Sequence, residues 1–307
     1  MALGTWAREY AAMRYMRHLS DQALRQRYDM LGGNLWSTDA AGEVIPPRNV
    51  DFHRDLLRLI AHVFAERAFR GGEQAIYFDA AEIQRTAAAE YEPPTLNPLF
   101  VGSPVCFAKF GRKEHIERAF REGVLRVAPA SLFNDPSLNA AQRDDELLHW
   151  ARAPHRRLMA KFYRTGPDGN RIEVPVEAGD FFRGLNVADF YVWCCGLGYD
   201  ARLFYEFQAD AVLVIRDMKE FNRRLTAAMQ ELLPEWNMRQ GPLTYYDPLT
   251  VQREQLVPIF SKNIRYLHQN EYRFAWLAPA NEHTMAPLFP VLGALTNIAE
   301  YYQIDRT

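Results

Sequence analysis

The chain reads Phe190-Tyr191-Val192-Trp193-Cys194-Cys195 and, further on, Ala211-Val212-Leu213-Val214-Ile215. Both runs are short and apolar, and both are rich in β-branched or aromatic residues, which predicts β-strands. The segment Lys219–Leu233 that follows has an amphipathic pattern and predicts a helix. Because the strands follow one another mostly without regular helices between them, the sequence favours an α+β fold over a doubly wound sheet.

The same patterns extend this prediction on both sides of the two runs. Further strands are predicted over Pro104–Phe110, Val124–Ala128, Lys161–Arg164, Arg171–Val176, Ile264–Leu267 and Tyr272–Leu277. Helices are predicted over Lys113–Glu122, with Gly123 as the C-cap, and over Ala140–Ala153. The sequence Gly166-Pro167-Asp168-Gly169-Asn170 is typical of a hairpin turn.

The N-terminal part of the chain has a different pattern. Apolar residues recur every three or four positions in Phe52–Phe64, which predicts a helix, and a second helix is predicted over Asp79–Tyr91. The prolines of Glu92-Pro93-Pro94-Thr95 then interrupt regular structure, because proline lacks a backbone donor and restricts the residue before it. We therefore divide the chain into a helical N-terminal region, residues 1–95, and an α+β region, residues 96–307. We expect the part before residue 92 to be mostly helical and the sheet to lie wholly within residues 100–280.

Composition limits the class of protein. The 307 residues are 48% hydrophobic and 13% aromatic, which is enough for a substantial core and argues against global disorder. The formal net charge of −2 removes the usual electrostatic argument for a dedicated nucleic-acid binder, although a local basic patch remains compatible with it. The three cysteines form no framework of paired disulfides. With no secretory leader and no apolar run of roughly 18 residues, we expect a cytoplasmic protein with no membrane partner.

Two polar stretches lie beside predicted strands, where a packed core favours apolar residues. The first is Phe133–Asn139, which contains Asn134-Asp135-Pro136-Ser137 and runs into Gln142-Arg143-Asp144-Asp145-Glu146. The second is Gln269-Asn270-Glu271-Tyr272-Arg273. Each brings side-chain amides together with charges, so both stretches are candidates for a functional site.

The order of several segments resembles a known family. The segments are Phe107–Arg112, Leu125–Ala130, Asn134–Ser137, Tyr191–Cys195 and Glu271–Arg273. Over roughly residues 104–277 this order resembles a bacterial family of unknown function that is marked by an Asn-Asp-Pro-Ser motif and a late Glu-Tyr-Arg. Its layout is similar to the ADP-ribosyltransferase fold, a split β-sandwich that cleaves NAD in a central cleft. The resemblance implies that fold, with an N-terminal helical extension.

The resemblance also implies roles for individual residues. Glu271 supplies the catalytic carboxylate, and Gln269 faces the same ligand if the segment between them is extended. Lys109 or Arg112 stands for the first-strand arginine that holds the NAD phosphates. The remaining candidates for NAD contacts are Asn134, Asp135, Tyr199 and Tyr205. The sequence departs from the pattern at Cys194-Cys195-Gly196, because this class of transferase has a Ser-Thr-Ser on its middle strand and this chain has no hydroxyl there.

The chemistry implied is cleavage of the bond between nicotinamide and ribose. This leaves a cationic, oxocarbenium-like sugar that a nearby carboxylate stabilises in a water-poor cleft. The expected function is that of an NAD-dependent ADP-ribosyltransferase or NAD glycohydrolase, acting as a bacterial toxin or antiviral defence effector. NAD is its expected substrate, with an unknown protein or nucleic acid as acceptor and an antitoxin or regulatory partner.

Structural roles compete with these functional ones. Glu271 is also placed to pair with Arg273 on a strand, and Asn134-Asp135-Pro136 is also typical of a structural turn. We therefore predict that Asn134, Asp135 and Arg143 make intramolecular hydrogen bonds or ion pairs rather than lying free in solvent.

Other functions remain open as well. One is a non-catalytic binding or regulatory module. Another is a nuclease-like hydrolase that uses Asp144, Asp145 and Glu146 with the basic segment Arg152–Arg164. A metal site at Glu146 and His149, three residues apart on a predicted helix, has no second pair of ligands in the sequence. A nucleophile at Cys194 or Cys195 has no histidine nearby in sequence.

Overall fold

The computed structural model describes residues 2–39, 44–46, 50–71, 106–153, 162–174, 181–279 and 285–304. The helices are α1 (Ala2–Met13), α2 (Asp21–Gly32), α3 (Val50–Phe69), α4 (Lys113–Glu122), α5 (Arg202–Glu206) and α6 (Met218–Leu232). The first strands are β1 (Ser37–Thr38), β2 (Val44–Ile45), β3 (Phe107–Gly111), β4 (Ala128–Pro129), β5 (Leu148–Ala153), β6 (Phe162–Thr165), β7 (Arg171–Val174) and β8 (Phe181–Asn186). The later strands are β9 (Tyr191–Leu197), β10 (Ala211–Ile215), β11 (Asn237–Pro242), β12 (Thr244–Tyr246), β13 (Ser261–Asn263), β14 (Glu271–Leu277) and β15 (Ala299–Gln303). Among the helices described, none is both long and apolar enough to cross a membrane.

One antiparallel sheet organises the α+β fold, which confirms the predicted class. Its strand order is β11-β14-β9-β3-β10-β15, and β4 also pairs with β9. One face packs against α4 and α6, where Trp193, Leu213 and Phe274 meet Phe221 in a large apolar core. Along β14, Glu271 and Arg273 alternate with apolar residues. The two charged side chains therefore lie on the other face of the sheet, and both are buried. The smaller sheets pair β1 with β2, β5 with β8, β6 with β7, and β12 with β13.

The N-terminal helices share a core with the segments around β12 and β13. Leu24, Leu31 and Leu56 pack in the same apolar cluster as Tyr245 and Leu267. Two polar contacts accompany this packing. Arg27 donates to both carboxylate oxygens of Asp247, at 3.0 and 2.7 Å. Asn34 donates to the backbone carbonyl of Arg265 at 3.3 Å.

Several predicted elements agree with the structure. They are α4 with its Gly123 C-cap, α6, β3, β9, β10, β14, the β6–β7 hairpin and α3. The segment Val124–Ala128 is a weaker match, because only isolated bridges at Val124 and Val127 precede β4. The predicted helix over Asp79–Tyr91 and the boundary at Pro93-Pro94 lie outside the described residues.

The helix predicted over Ala140–Ala153 is wrong. The amides of Gln142 and Arg143 donate to the Asn139 carbonyl and form a single turn, after which no helix follows before β5. Asn139 Oδ1 accepts from the amides of Ala141 and Gln142, and Asp145 Oδ1 accepts from that of Leu147. The chain therefore turns up to residue 147 and then forms β5, which pairs with β8.

Two further predictions are corrected. The strand predicted over Ile264–Leu267 is a 3-10 helix, Ile264–Gln269, that begins where Asn263 accepts from the amide of Arg265. The main sheet also extends past residue 280, because β15 pairs with β10, and the short β1–β2 pair lies in the N-terminal region.

We expect Gly123→Ala to destabilise the fold strongly. Gly123 has φ +72°, and a Cβ there would lie 2.0 Å from the carbonyl oxygen of Gly293. A left-handed non-glycine residue alone costs about 1–3 kcal/mol, and the backbone contact adds to this cost. Gly71→Ala is the matched control, since Gly71 has φ +75° and open space around it. Urea unfolding measures both variants. Equal losses would show that the approach of Gly293 is unimportant.

Candidate functional site

A cleft of about 270 Å³ lies between the loop after the Ala130–Asn134 turn, strand β5 and the segment that follows β13. We call it the Asp144 cleft. Its charged, amide and ring-bearing lining residues are Asp144, Asp145, Arg143, Arg265, Asn134, Asn263, His149, Trp150 and Tyr246. Polar groups of this variety around one concave surface are typical of a ligand site.

Asp144 is the carboxylate of this cleft with the most perturbed acidity. Its side chain is 17% exposed, and its Oδ1 lies 3.7 Å from Nη2 of Arg265. Burial, with the neighbouring charge of Glu146, raises the pKa of Asp144 to about 6, against the opposing effects of Lys262 and Arg265. A carboxyl group with that pKa changes its charge just below neutral pH, which suits acid–base or charge-stabilising chemistry.

His149 faces the same cleft from β5. Its Nε2 atom is buried, and no described residue offers it a hydrogen bond. Burial lowers the pKa of His149, so the ring is neutral at pH 7. The ring of Tyr246 lies 6.0 Å away. A buried nitrogen without a partner is costly, so the unpaired Nε2 is the feature of His149 that the described residues leave unexplained.

Side-chain hydrogen bonds hold the loop that carries Asp144. Asn134 Nδ2 donates to Asp145 Oδ2 at 3.1 Å, and Asp135 Oδ1 accepts from the Ser137 amide at 2.8 Å. The predicted intramolecular bonds of Asn134 and Asp135 are therefore confirmed. For Arg143 the prediction is wrong. Its backbone amide donates to the Asn139 carbonyl at 2.8 Å and its backbone carbonyl accepts from the Tyr266 hydroxyl at 2.6 Å, but its exposed guanidinium pairs with none of the described residues.

Four charged side chains form a buried ion cluster next to this loop, consisting of Glu146, Lys262, Glu271 and Arg273. Arg273 Nη2 lies 2.7 Å from Glu146 Oε2 and 3.0 Å from Glu271 Oε1. Lys262 Nζ lies 2.8 Å from Glu271 Oε2 and 3.5 Å from Glu146 Oε1. Each cation therefore bridges the same two carboxylates, which compensates the burial of all four charges.

Glu271 has both carboxylate oxygens occupied in this cluster and is 6% exposed. Burial opposes its ionisation, but Lys262 and Arg273 outweigh that effect and lower the pKa of Glu271 to about 2. The sequence alternative in which Glu271 pairs with Arg273 is therefore what the structure shows, although the pair is buried. Its carboxylate reaches a ligand only if these ion pairs open.

Gln269 does not extend towards the same space as Glu271. It ends a 3-10 helix, and Asn270 between them has the left-handed φ of 40°. The extended segment assumed from sequence is thus wrong. Gln269 Nε2 donates instead to the carbonyl of Ala141 at 2.7 Å, which anchors the loop before Asp144.

The other candidates from sequence are spread over the structure. Lys109 Nζ donates to the carbonyl of Cys194 at 2.6 Å and lies over the Trp193 ring, on the sheet face opposite to Glu271. Arg112 is exposed and lies 3.9 Å from Asp210. Tyr199 is buried against aromatic neighbours, and Tyr205 is exposed on α5.

The cysteines and the proposed metal pair have no reactive arrangement. Burial raises the pKa of Cys194 to about 12, so its thiol stays protonated and is a poor nucleophile. Glu146 turns into the ion cluster while His149 lines the cleft from β5. Within the described ranges, no three His, Cys, Asp or Glu side chains are grouped to hold a metal.

Sequence reasoning missed Arg265, Tyr246 and Asn263 as cleft residues. The signal was weak, because they lie about a hundred residues from Asp144 along the chain, and Arg265 alone lay within a predicted element. Comparison with known proteins adds no assignment. No protein-family description, curated protein or solved structure matches the chain.

Proposed function

We propose that this chain is an NAD-cleaving enzyme, an ADP-ribosyltransferase or NAD glycohydrolase, whose reaction takes place in the Asp144 cleft. The observation that carries the proposal is the composition of that cleft: Asp144 and Asp145, two arginines and a histidine line one concave surface. The proposal includes the split β-sandwich layout. In its support, the strands bearing Lys109, Cys194 and Glu271 are neighbours in the sheet, in the order β3, β9, β14.

Each group has a role in the proposed reaction. The bond between ribose C1′ and the nicotinamide nitrogen breaks, and its electron pair neutralises the pyridinium ring. Ionised Asp144 stabilises the cationic sugar that remains. Water or an acceptor then bonds to C1′ and gives its proton to Nε2 of neutral His149, a buried nitrogen that accepts the proton only after a side-chain movement exposes it to the cleft. Arg143 and Arg265 bind the diphosphate through charge-assisted hydrogen bonds.

This assignment differs from the sequence expectation about the catalytic carboxylate. Asp144 lines an open cleft, whereas both oxygens of Glu271 are bonded within the buried ion cluster. Glu271 and Gln269 then support the site from beneath, by holding Lys262, Arg273 and the Ala141 carbonyl. Glu271 remains the alternative catalytic residue.

Incubation of the purified protein with NAD, with release of nicotinamide as the readout, tests the proposed function. Wild-type protein is expected to release nicotinamide, and radiolabelled NAD added with protein or nucleic acid identifies an acceptor. Absence of release at micromolar enzyme would contradict the proposal. The toxin or defence role and the antitoxin partner rest on the sequence resemblance alone.

We expect the reaction to depend on pH through Asp144. The carboxylate must be ionised to stabilise the cationic sugar, and the pKa of Asp144 is raised to about 6. The value of kcat/KM for NAD should therefore rise as pH increases through about 6 and then level off. The measurement is nicotinamide release between pH 4.5 and 8 at a constant ionic strength of about 0.1 M, chosen to keep charge screening fixed. A profile that is flat on the acid side would remove Asp144 from the mechanism.

A second candidate function is a nucleotide-binding module without catalysis. The observation in its favour is that Lys262 and Arg273 occupy both carboxylate oxygens of Glu271, which gives this glutamate a structural role. The nuclease-like alternative has less support, since Asp145 binds Asn134 and Glu146 belongs to the ion cluster, so the three successive acids do not converge. Binding of NAD without turnover would favour the module.

A further inference from the structure

Trp150 presents a large flat surface at the edge of the Asp144 cleft. Its side chain lies on β5, lines the cleft and is 45% exposed. The residue directly opposite on β8 is Gly184. A Cβ at Gly184 would lie 3.4 Å from Cζ3 and 3.6 Å from Cη2 of the indole. The ring therefore packs over the Gly184 backbone beside Leu148, whose Cδ1 would lie 3.2 Å from that Cβ, and about half of Trp150 stays exposed.

The surroundings of this ring suit one class of ligand. Exposed single aromatic residues are common on protein surfaces and need no function by themselves. This one borders a polar cleft that is also lined by Arg265 and by Arg143, whose guanidinium pairs with none of the described residues. An aromatic platform beside cations is the combination that binds nucleotides, because the base stacks and the phosphates pair with the cations.

We propose that Trp150 is a stacking platform for the base of a nucleotide bound in the Asp144 cleft, with its phosphate held by Arg143 and Arg265. At about 270 Å³ the cleft is just below the usual range for small-molecule sites, about 300–1,000 Å³, a size that suits a small ligand such as a mononucleotide. The inference rests on the site of the proposed function, but it concerns binding and does not require cleavage.

Calorimetric titration of the full chain with AMP and with ribose 5-phosphate tests this subsite. Trp150→Ala is expected to weaken AMP binding by about tenfold or more, on the order of the loss of one stacked base. Ribose 5-phosphate, which has no base, should bind wild type and variant equally. Trp150→Phe keeps a ring and should retain most of the AMP affinity. Phe289→Ala, which removes another exposed aromatic side chain, is the control and should leave both affinities unchanged.

Each result separates this inference from the proposed function. Trp150-dependent AMP binding in a protein that never releases nicotinamide would support the subsite and refute NAD cleavage. Nicotinamide release with AMP affinity unchanged in Trp150→Ala would refute the subsite and leave the enzyme. Equal losses for AMP and ribose 5-phosphate would show a structural role for Trp150. No binding of either ligand to wild type would overturn the inference.

Discussion

Replacement of Asp144 by Asn is expected to lower nicotinamide release by about 10²-fold or more. The amide keeps the size of the side chain but cannot stabilise a developing positive charge, and loss of one such electrostatic contact commonly has this effect. Stability at pH 7 should not fall. The pKa of Asp144 in the folded protein is raised to about 6, so ionisation of this carboxyl group lowers the free energy of unfolding as pH rises through about 6. Asparagine carries no charge and avoids this loss.

Two other substitutions make this result interpretable. Asp135→Asn changes an exposed carboxylate in the same loop and should leave the rate unchanged, because an asparagine oxygen can still accept from the Ser137 amide. Glu271→Gln tests the alternative carboxylate. If Glu271→Gln abolishes release from a fully folded protein while Asp144→Asn keeps wild-type activity, the catalytic role belongs to Glu271 and the Asp144 assignment is wrong.

The inner strands of the central sheet, β14, β9, β3 and β10, could be predicted from the sequence because their signals are local, whereas the edge strands β11 and β15 were not predicted. The apolar run Ala211–Ile215 is buried at every position, and α6 has its apolar stripe against Trp193 and Phe274. Short, wholly apolar runs and three-to-four spacing depend only on neighbours along the chain. The C-terminal end of α4 could also be predicted, because Gly123 supplies the left-handed residue that ends the helix.

The site was only partly predictable, because its partners are distant in sequence. The acidic stretch around Asp144 was among the candidates, but the helix predicted over Ala140–Ala153 concealed strand β5. Pairing of β5 with β8 decided the outcome there. Glu271 was identified as chemically unusual, yet its bond to Lys262 depends on the tertiary fold. A charged residue beside a strand has the same sequence signal whether it binds a ligand or a buried partner.

Arg273→Met is expected to cause the largest loss of stability of any substitution discussed here. Arg273 is completely buried, donates to Glu146 and Glu271, and also donates to the carbonyl of Ile259 at 2.7 Å. Methionine fills much of the space but leaves two carboxylates with Lys262 as their shared cation. Removing one partner from a buried ionic group typically costs about 3–5 kcal/mol. Urea unfolding, followed by tryptophan fluorescence, measures the change.

Three further variants test whether charge, rather than size, causes this loss. Arg239 lies at an exposed position on the adjacent strand β11, so Arg239→Met should change the free energy of unfolding little. Arg273→Lys keeps the charge but loses the forked geometry and should fall between wild type and Arg273→Met. Adding Glu271→Gln to Arg273→Met removes one uncompensated carboxylate, so the double variant should be more stable than Arg273→Met alone. If the double variant is instead less stable by the sum of both single losses, the two residues act independently. The cluster of Glu146, Lys262, Glu271 and Arg273 would then not act as one electrostatic unit.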